Sequence, residues 1–388
     1  MKRILHIVGD SKYGGGSYII LRLAQMAMQQ GWQPAVLTTD PVFQQVLSEH
    51  QIPSVPLECI WREINPVRDW QGYRRLRAYL SQDRYDLVHT HTSKGGFIGR
   101  AAAWHARTPA VVHTVHGFAF HEQSRPVAVR FYAGLERIAA RWCHRIVTVS
   151  EYHMRWALQL GIGTPQQLRA IPNGIEPQRV APQIAPDALR QQLHIAPNTR
   201  VIVTTGRLAT QKGLEYLIQA VQLLQPADLP PFIILIAGDG PLRESLERQA
   251  CEAGVAERVR FLGFWRAVGD LLAIADIVAL PSLWEGLSIA LLEAMAAGKP
   301  IITTTIGSNL EATGDGQAAK LVPPKDAHAL ADALREWLLH PERARPYAAA
   351  AQQRFMEHYT EERMLEQYRQ LYCELLYGTD DSNPARCK

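Results

Sequence analysis

Two carboxylates bracket one apolar stretch of the chain. In PSLWEGLSIALLEAMAAGKP, residues 281–300, Glu285 precedes a glycine and Glu293 follows eight positions later. DIVALPS reads as a strand ended by Pro281 and Ser282. LSIALLEAMAAG reads as a helix stopped by Gly298 before Pro300. Gly286 lets the backbone turn tightly, so the amides of Leu287, Ser288 and Ile289 are expected at the open start of that helix. There, with the helix dipole, they attract an anion such as a diphosphate. Glu293 is the only charge on the apolar helix, and a carboxylate accepts two hydrogen bonds at once, which suits a vicinal diol such as a ribose. The pair reads as a hold on a nucleotide-sugar, with Glu285 near the sugar and Glu293 on the ribose. The competing reading is a capping glutamate plus a carboxylate satisfied by backbone amides.

A second cluster lies in TGRLATQKG, residues 205–213, at the end of a predicted strand. Arg207 and Lys212 face each other across a short turn between Gly206 and Gly213, and two cations there can meet one phosphate group. The alternative is a surface turn with incidental charges. In the first half, GDSKYGGGS (9–17) joins a strand to a helix, but its glycines Gly14, Gly15 and Gly16 run together. It is not a dinucleotide fingerprint, which argues against a dehydrogenase. HTVHGF (113–118) sets His116 at a strand end, where an isolated histidine is more often packing than catalysis. His89, His91, His113, His116 and His121 invite a metal reading, and HTH resembles the start of an amidohydrolase barrel. That barrel needs a later carboxylate and lysine that a two-sheet pattern does not supply.

The elements that must position these residues alternate. Strand-like runs fall at 4–9, 34–39, 86–91, 110–115, 145–150 and 168–173, then at 201–206, 232–238, 259–263, 276–280, 301–305 and 318–322. They are near-continuous apolar runs, as parallel strands covered on both faces require. Helical segments intervene, for example 16–30, 66–82, 126–143 and 213–225. The pattern predicts an α/β protein of two Rossmann-like, doubly wound domains facing across a crevice. Proline-rich 173–199 reads as the linker. The expected domains are 1–180, 181–360, and a helical tail 361–388 that crosses back to the first domain and ends in disorder.

The chain has 388 residues, 47% hydrophobic and 20% charged, an ordinary globular composition. No apolar run reaches the roughly 18 residues of a membrane span. Five scattered cysteines without a CxxC fit a reducing compartment and give no zinc site. Net charge is +4, yet residues 1–180 hold 21 Lys and Arg against 12 Asp and Glu, and the remainder 20 against 25. A basic first half suits an anionic partner, or equally a set of solvated arginines. Helix 66–82 carries Arg68, Arg74, Arg75 and Arg77 beside Trp70 and Tyr73, which suits an anionic membrane surface or an exposed helix packed through Leu76 and Leu80.

Taken together, these stretches resemble retaining glycosyltransferases of family 4, which have the GT-B fold. The Glu285–Glu293 pair and GRLATQKG carry the likeness, with AGDGP (237–241), FLGF (261–264) and IPNGI (171–175) in the expected order. The resemblance implies that Arg207 and Lys212 neutralise the leaving diphosphate, that Glu293 binds the ribose and that Glu285 lies beside the sugar hydroxyls. Gly286, Leu287, Ser288 and Ile289 would contact sugar and phosphate. Gly238 and Phe264 would frame the base, with Gly206, Asn173 and the loop of Gly15 and Gly16 near the phosphates. His116 would lie by the scissile linkage. Lys94 and Arg100 of SKGGFIGR would meet the acceptor's phosphates. No DxD occurs in the chain, so no metal or cofactor is expected, and Arg207, Lys212 and the helix start would replace the cation. The implied reaction moves a hexose or N-acetylhexosamine from a UDP-sugar, with retention, to a lipid-linked or other saccharide acceptor, a polyprenyl-diphosphate-linked saccharide first among them, in bacterial cell-surface polysaccharide synthesis. No nucleic-acid partner is implied, and the expected location is cytoplasmic, peripheral to the inner membrane face. The alternatives are a UDP-sugar epimerase of the same fold and a GDP-mannose-dependent transferase.

Overall fold

The computed structural model describes residues 1–9, 14–61 and 63–378; the expected disordered end and most of the loop before Gly14 lie outside them. The chain divides into two compact units, Met1–Asn173 with Glu362–Lys388, and Gly174–Glu361.

The first unit is a seven-stranded sheet of order β3-β2-β1-β4-β5-β6-β7. Its strands are β1 (Arg3–Gly9), β2 (Gln33–Thr38), β3 (Ser54–Val55), β4 (Leu87–His91), β5 (Ala110–Val115), β6 (Arg145–Thr148) and β7 (Leu168–Ala170). Its helices are α1 (Gly15–Gln29), α2 (Pro41–Glu49), α3 (Pro66–Gln82), α4 (Ser93–His105), α5 (Pro126–Ala140) and α6 (Glu151–Gln159). The second unit adds α7 (Pro186–Gln192), α8 (Leu214–Leu223), α9 (Arg243–Glu252), α10 (Val268–Ile274), α11 (Ile289–Ala296), α12 (Gly307–Thr313), α13 (Ala327–Leu339) and α14 (Arg345–His358). They cover a six-stranded sheet of order β10-β9-β8-β11-β12-β13, formed by β8 (Arg200–Thr205), β9 (Phe232–Ala237), β10 (Val259–Gly263), β11 (Ile277–Leu280), β12 (Ile301–Thr304) and β13 (Lys320–Val322). All strand pairs are parallel.

Parallel pairing explains the apolar runs. The inner strands are covered on both faces, and Ile4, Leu5, Ile7, Val201, Ile202 and Val203 are wholly buried. Fully burying such a side chain stabilises by about 1.5–3 kcal/mol. In both sheets the strand order reverses at one place, between β1 and β4 and between β8 and β11. The connections leaving the two strands part there, and the carboxyl ends of doubly wound sheets bind ligands at that gap.

One boundary differs from the sequence reading. The first unit ends at Asn173, short of residue 180, because the turn Pro177–Val180 packs on α10 and α11 of the second unit. The last helix, α15 (Glu361–Tyr377), joins the first unit from Glu362 on. There the Tyr377 hydroxyl accepts from Trp32 Nε1 at 3.1 Å, and Glu374 pairs with Arg145 and Arg169. No helix among the described residues is long and apolar enough to cross a membrane.

Candidate active site

The two sequence clusters of the second unit meet at the β8/β11 gap. β8 ends into Gly206, a turn at Thr210–Lys212, and Gly213, whose φ of +60° closes the turn. A Cβ at Gly213 would fall 2.2 Å from the Pro281 carbonyl oxygen. Only glycine therefore lets this turn lie against the segment leaving β11. The Leu283 amide donates to the Gln211 carbonyl at 2.8 Å and fastens the two segments. Gly238 repeats the device: its Cβ would lie 1.8 Å from the Gly206 carbonyl oxygen.

This fastening brings Lys212 to Glu285. Nζ lies 2.5 Å from Oε1, and the side chains are 18% and 7% exposed. Ser282 Oγ donates to the same oxygen at 2.9 Å and Gln211 Nε2 to the other at 2.8 Å. A carboxylate so desolvated is tolerated because three donors, one of them a cation, meet its two oxygens. An ammonium has three donors, so the bond to Glu285 leaves Lys212 two for a phosphate. Arg207 is solvent-exposed at the mouth of the same turn.

Helix α11 starts two residues later than Leu287. Ser288 is its cap, the hydroxyl accepting from the Leu291 amide at 3.4 Å. The first-turn amides have no acceptor inside the helix, so the positive end of its dipole opens beside Lys212 and Glu285. Glu293 is 4% exposed, and burial pushes its carboxyl above the usual range, with Arg179 opposing. Arg179 Nε donates to it at 2.8 Å. Asn173 is buried and Phe264 is 77% exposed beyond β10.

Arg179, Gln211 and Ser282 escaped the sequence reading. Gln211 and Ser282 sit inside the quoted motifs, but nothing marked them as ligands of Glu285. Arg179 lies in the stretch read as linker, 114 positions from Glu293.

In the first unit, Gly15 and Gly16 open α1, and among the described residues nothing outside its own helix stands within 4 Å of a Cβ at Gly16. His116 follows β5, its Nε2 3.1 Å from His91 Nδ1, and burial lowers its pKa to about 4. Lys94 is paired with Asp69 at 2.6 Å. Arg100 corrects the sequence reading. It is wholly buried, donating to the Gly96 carbonyl at 2.9 Å and to Glu136 of α5 at 2.7 Å. Its place on the inner face of α4, one turn from Gly96, keeps it from any phosphate in solvent. His89 and His91 share a strand face, and their third neighbour is His6 of β1, which the sequence reading did not include. The sheet is open, so the amidohydrolase barrel is excluded.

Two doubly wound units with a cationic turn and a helix start at a switch point are the arrangement of GT-B glycosyltransferases. Residues 186–354 match the family described as Glycosyl transferases group 1, and residues 13–179 match Glycosyltransferase Family 4. The chain is 30% identical over 316 residues to D-inositol 3-phosphate glycosyltransferase of Nocardia farcinica, 77% of this chain and 68% of that one. It is 34% identical over 258 residues to UDP-Gal:alpha-D-GlcNAc-diphosphoundecaprenol alpha-1,3-galactosyltransferase of Escherichia coli, 66% of each chain. HepE of Anabaena, solved with UDP and glucose, superposes with a TM-score of 0.82 at 23% identity, over 96% of this chain and 100% of that one. This last likeness speaks for the fold alone. The chain belongs to glycosyltransferase family 4 and is a GT-B glycosyltransferase.

Proposed function

We propose that the chain transfers a hexosyl or N-acetylhexosaminyl group from a UDP-sugar, with retention and without a metal, to a polyprenyl-diphosphate-linked saccharide. The observation that carries this reading is the Lys212–Glu285 pair beside the start of α11. As UDP departs from an oxocarbenium-like centre it keeps the pair of the broken C–O bond and gains a negative charge, which Lys212, Arg207 and the amides from Leu287 to Ile289 take up. Glu285 holds the sugar hydroxyls and Lys212 together. Glu293, kept in place by Arg179, takes the ribose diol. Gly206 and Gly238 keep the phosphate and base sides clear, and Phe264 lies against the base. Gly15, Gly16 and Asn173 are assigned to the phosphates and His116 to the transferred sugar. The acceptor's hydroxyl attacks from the leaving-group side, and a phosphate oxygen takes its proton.

The donor and acceptor classes are drawn from the Escherichia coli relative, whose name gives UDP-Gal and a GlcNAc-diphosphoundecaprenol. A membrane-borne acceptor also suits the outer face of the first unit. On α5, Val127, Phe131 and Ile138 are 79%, 62% and 44% exposed, beside exposed Arg130, Arg137 and Arg141. On α3, Trp70 is 61% exposed and stacks on Tyr73. Apolar and aromatic groups among arginines are the make-up of a surface that rests on anionic lipid.

The test is turnover with UDP-hexoses and a polyprenyl-diphosphate-GlcNAc acceptor, in EDTA, with the product's anomeric configuration read by NMR. Release of UDP and an α-linked product from an α-linked donor is expected. Conversion of the donor without acceptor would make the protein an epimerase, and loss of turnover in EDTA would remove the metal-free mechanism.

A further inference from the structure

The core of the first unit holds a polar cluster that the reaction just described leaves unused. His6 on β1 and His89 and His91 on β4 are wholly buried. Two hydrogen-bonded chains run through them. In one, the Tyr372 hydroxyl of α15 meets His89 Nδ1 at 2.6 Å, His89 Nε2 meets Thr114 Oγ1 at 2.7 Å, and Thr114 meets the Tyr368 hydroxyl at 3.0 Å. In the other, His6 Nδ1 lies 3.2 Å from His91 Nε2, and His91 Nδ1 lies 3.1 Å from His116 Nε2. His89, fixed at both nitrogens, packs on His91 with ring centroids 4.2 Å apart and stops that ring from turning.

Burial holds His6, His91 and His116 neutral, lowering His6 to about 3 and His116 to about 4. A neutral imidazole carries one N–H and one lone pair. Each nitrogen–nitrogen contact takes one proton, so the three rings must all point the same way. In the outward sense His6 Nδ1–H donates to His91, His91 Nδ1–H donates to His116 Nε2, and His116 keeps its own proton on Nδ1. In the inward sense the proton of His6 sits on Nε2, which has no partner among the described residues. The outward sense leaves only a lone pair at that place, and a buried N–H without an acceptor is the rarer defect in proteins.

We propose that His91, backed by His6 and His89, is a positioning residue that fixes His116 as its Nδ1–H tautomer. His116 then offers the sugar a hydrogen-bond donor and not a general base. The mechanistic half of this proposal rests on the assignment of His116 to the transferred sugar; the tautomer does not.

Two-bond proton–nitrogen correlation spectra of the full chain, with labelled histidine and no substrate, decide the matter. His116→Gln identifies the His116 signals. At pH 7.5 we expect one protonated Nδ1 and one bare Nε2 for His116. The opposite tautomer, or a pair averaged as in free imidazole, overturns the proposal. In His91→Phe the His116 signals should average, and in His91→Asn, whose amide can still donate to Nε2, they should return. Unchanged signals in His91→Phe overturn the proposal. Should these variants not fold, the wild-type spectrum alone decides. If Zn²⁺ shifts the signals of His6, His89 and His91 together and EDTA restores them, the cluster is a metal site and the proposal falls. In turnover, His91→Phe should lower kcat by up to about 100-fold, the scale of a misplaced group, at nearly constant donor KM. An unchanged kcat overturns the catalytic half while leaving glycosyl transfer itself intact.

Discussion

Replacing Lys212 by alanine should act in two ways that can be separated. It removes a cation from the diphosphate, and it strands Glu285, whose side chain is 7% exposed. One lost charged contact to the leaving group costs about 3 kcal/mol in the transition state, roughly 100-fold in kcat/KM. Breaking a buried pair costs about 3–5 kcal/mol of stability, but Ser282 and Gln211 still donate to Glu285, so about 3 is expected. For a unit of this size that is a fall in Tm of roughly 6–12 °C. The companion variant Lys212→Ala/Glu285→Gln has no stranded charge. Its Tm should recover most of the loss while kcat/KM stays at least 100-fold down. The assay is UDP release at varied donor concentration, with calorimetry on the same preparations. If the double variant regains turnover, Lys212 serves only to neutralise Glu285 and the leaving-group argument is wrong.

Arg179→Ala should destabilise the second unit by about 3 kcal/mol at pH 7, near the lower bound for a buried pair because Arg179 is a third exposed. Glu293 has a folded pKa above its unfolded one, so the penalty is absent at low pH and grows as pH rises through the folded value; thermal unfolding at pH 4.5 and 7, and Glu293→Gln as a rescuing partner, check this. His6, His89, His91 and His113 have folded pKa values below the unfolded value of about 6.5. Their contribution is whole above pH 6.5 and lost as pH falls: by pH 5.5 each costs about 1.4 kcal/mol and the four about 6. Hydrogen exchange should show the first unit opening before the second between pH 6.5 and 5, and equal protection of both would contradict it. Phe131→Asp should weaken sedimentation with anionic liposomes by roughly 10-fold to 100-fold, the worth of one buried phenylalanine; equal binding removes α5 from the membrane face.

What the sequence disclosed follows from how far apart the interacting residues lie. Strands buried on both faces announce themselves as apolar runs, and the motif at 281–300 carries its own turn, cap and helix. Thus β1, β8 and α11 were legible, whereas Ser54–Val55 is too short to show a pattern. The strand read as 145–150 ends at Thr148, because Ser150 caps α6 instead of pairing, and the strand read as 168–173 ends at Ala170. Pairing at long range was not legible. Arg179 reaches Glu293 only because the linker packs on α11, and His6 joins His91 only because β1 and β4 are neighbours across the switch in strand order. Arg100 was assigned to the acceptor's phosphates, but it is wholly buried. The spacing Gly96, Arg100, Ala103 on a helix whose inner face is small already pointed inward.

Where a donor's diphosphate sits decides the mechanism. A crystal structure with a UDP-sugar, grown in EDTA, measures it directly. Both phosphates are expected within hydrogen-bonding reach of Lys212 Nζ and the first-turn amides of α11, with the ribose on Glu293. Phosphates bound elsewhere, or a donor that binds only when a divalent cation is restored, would contradict that mechanism.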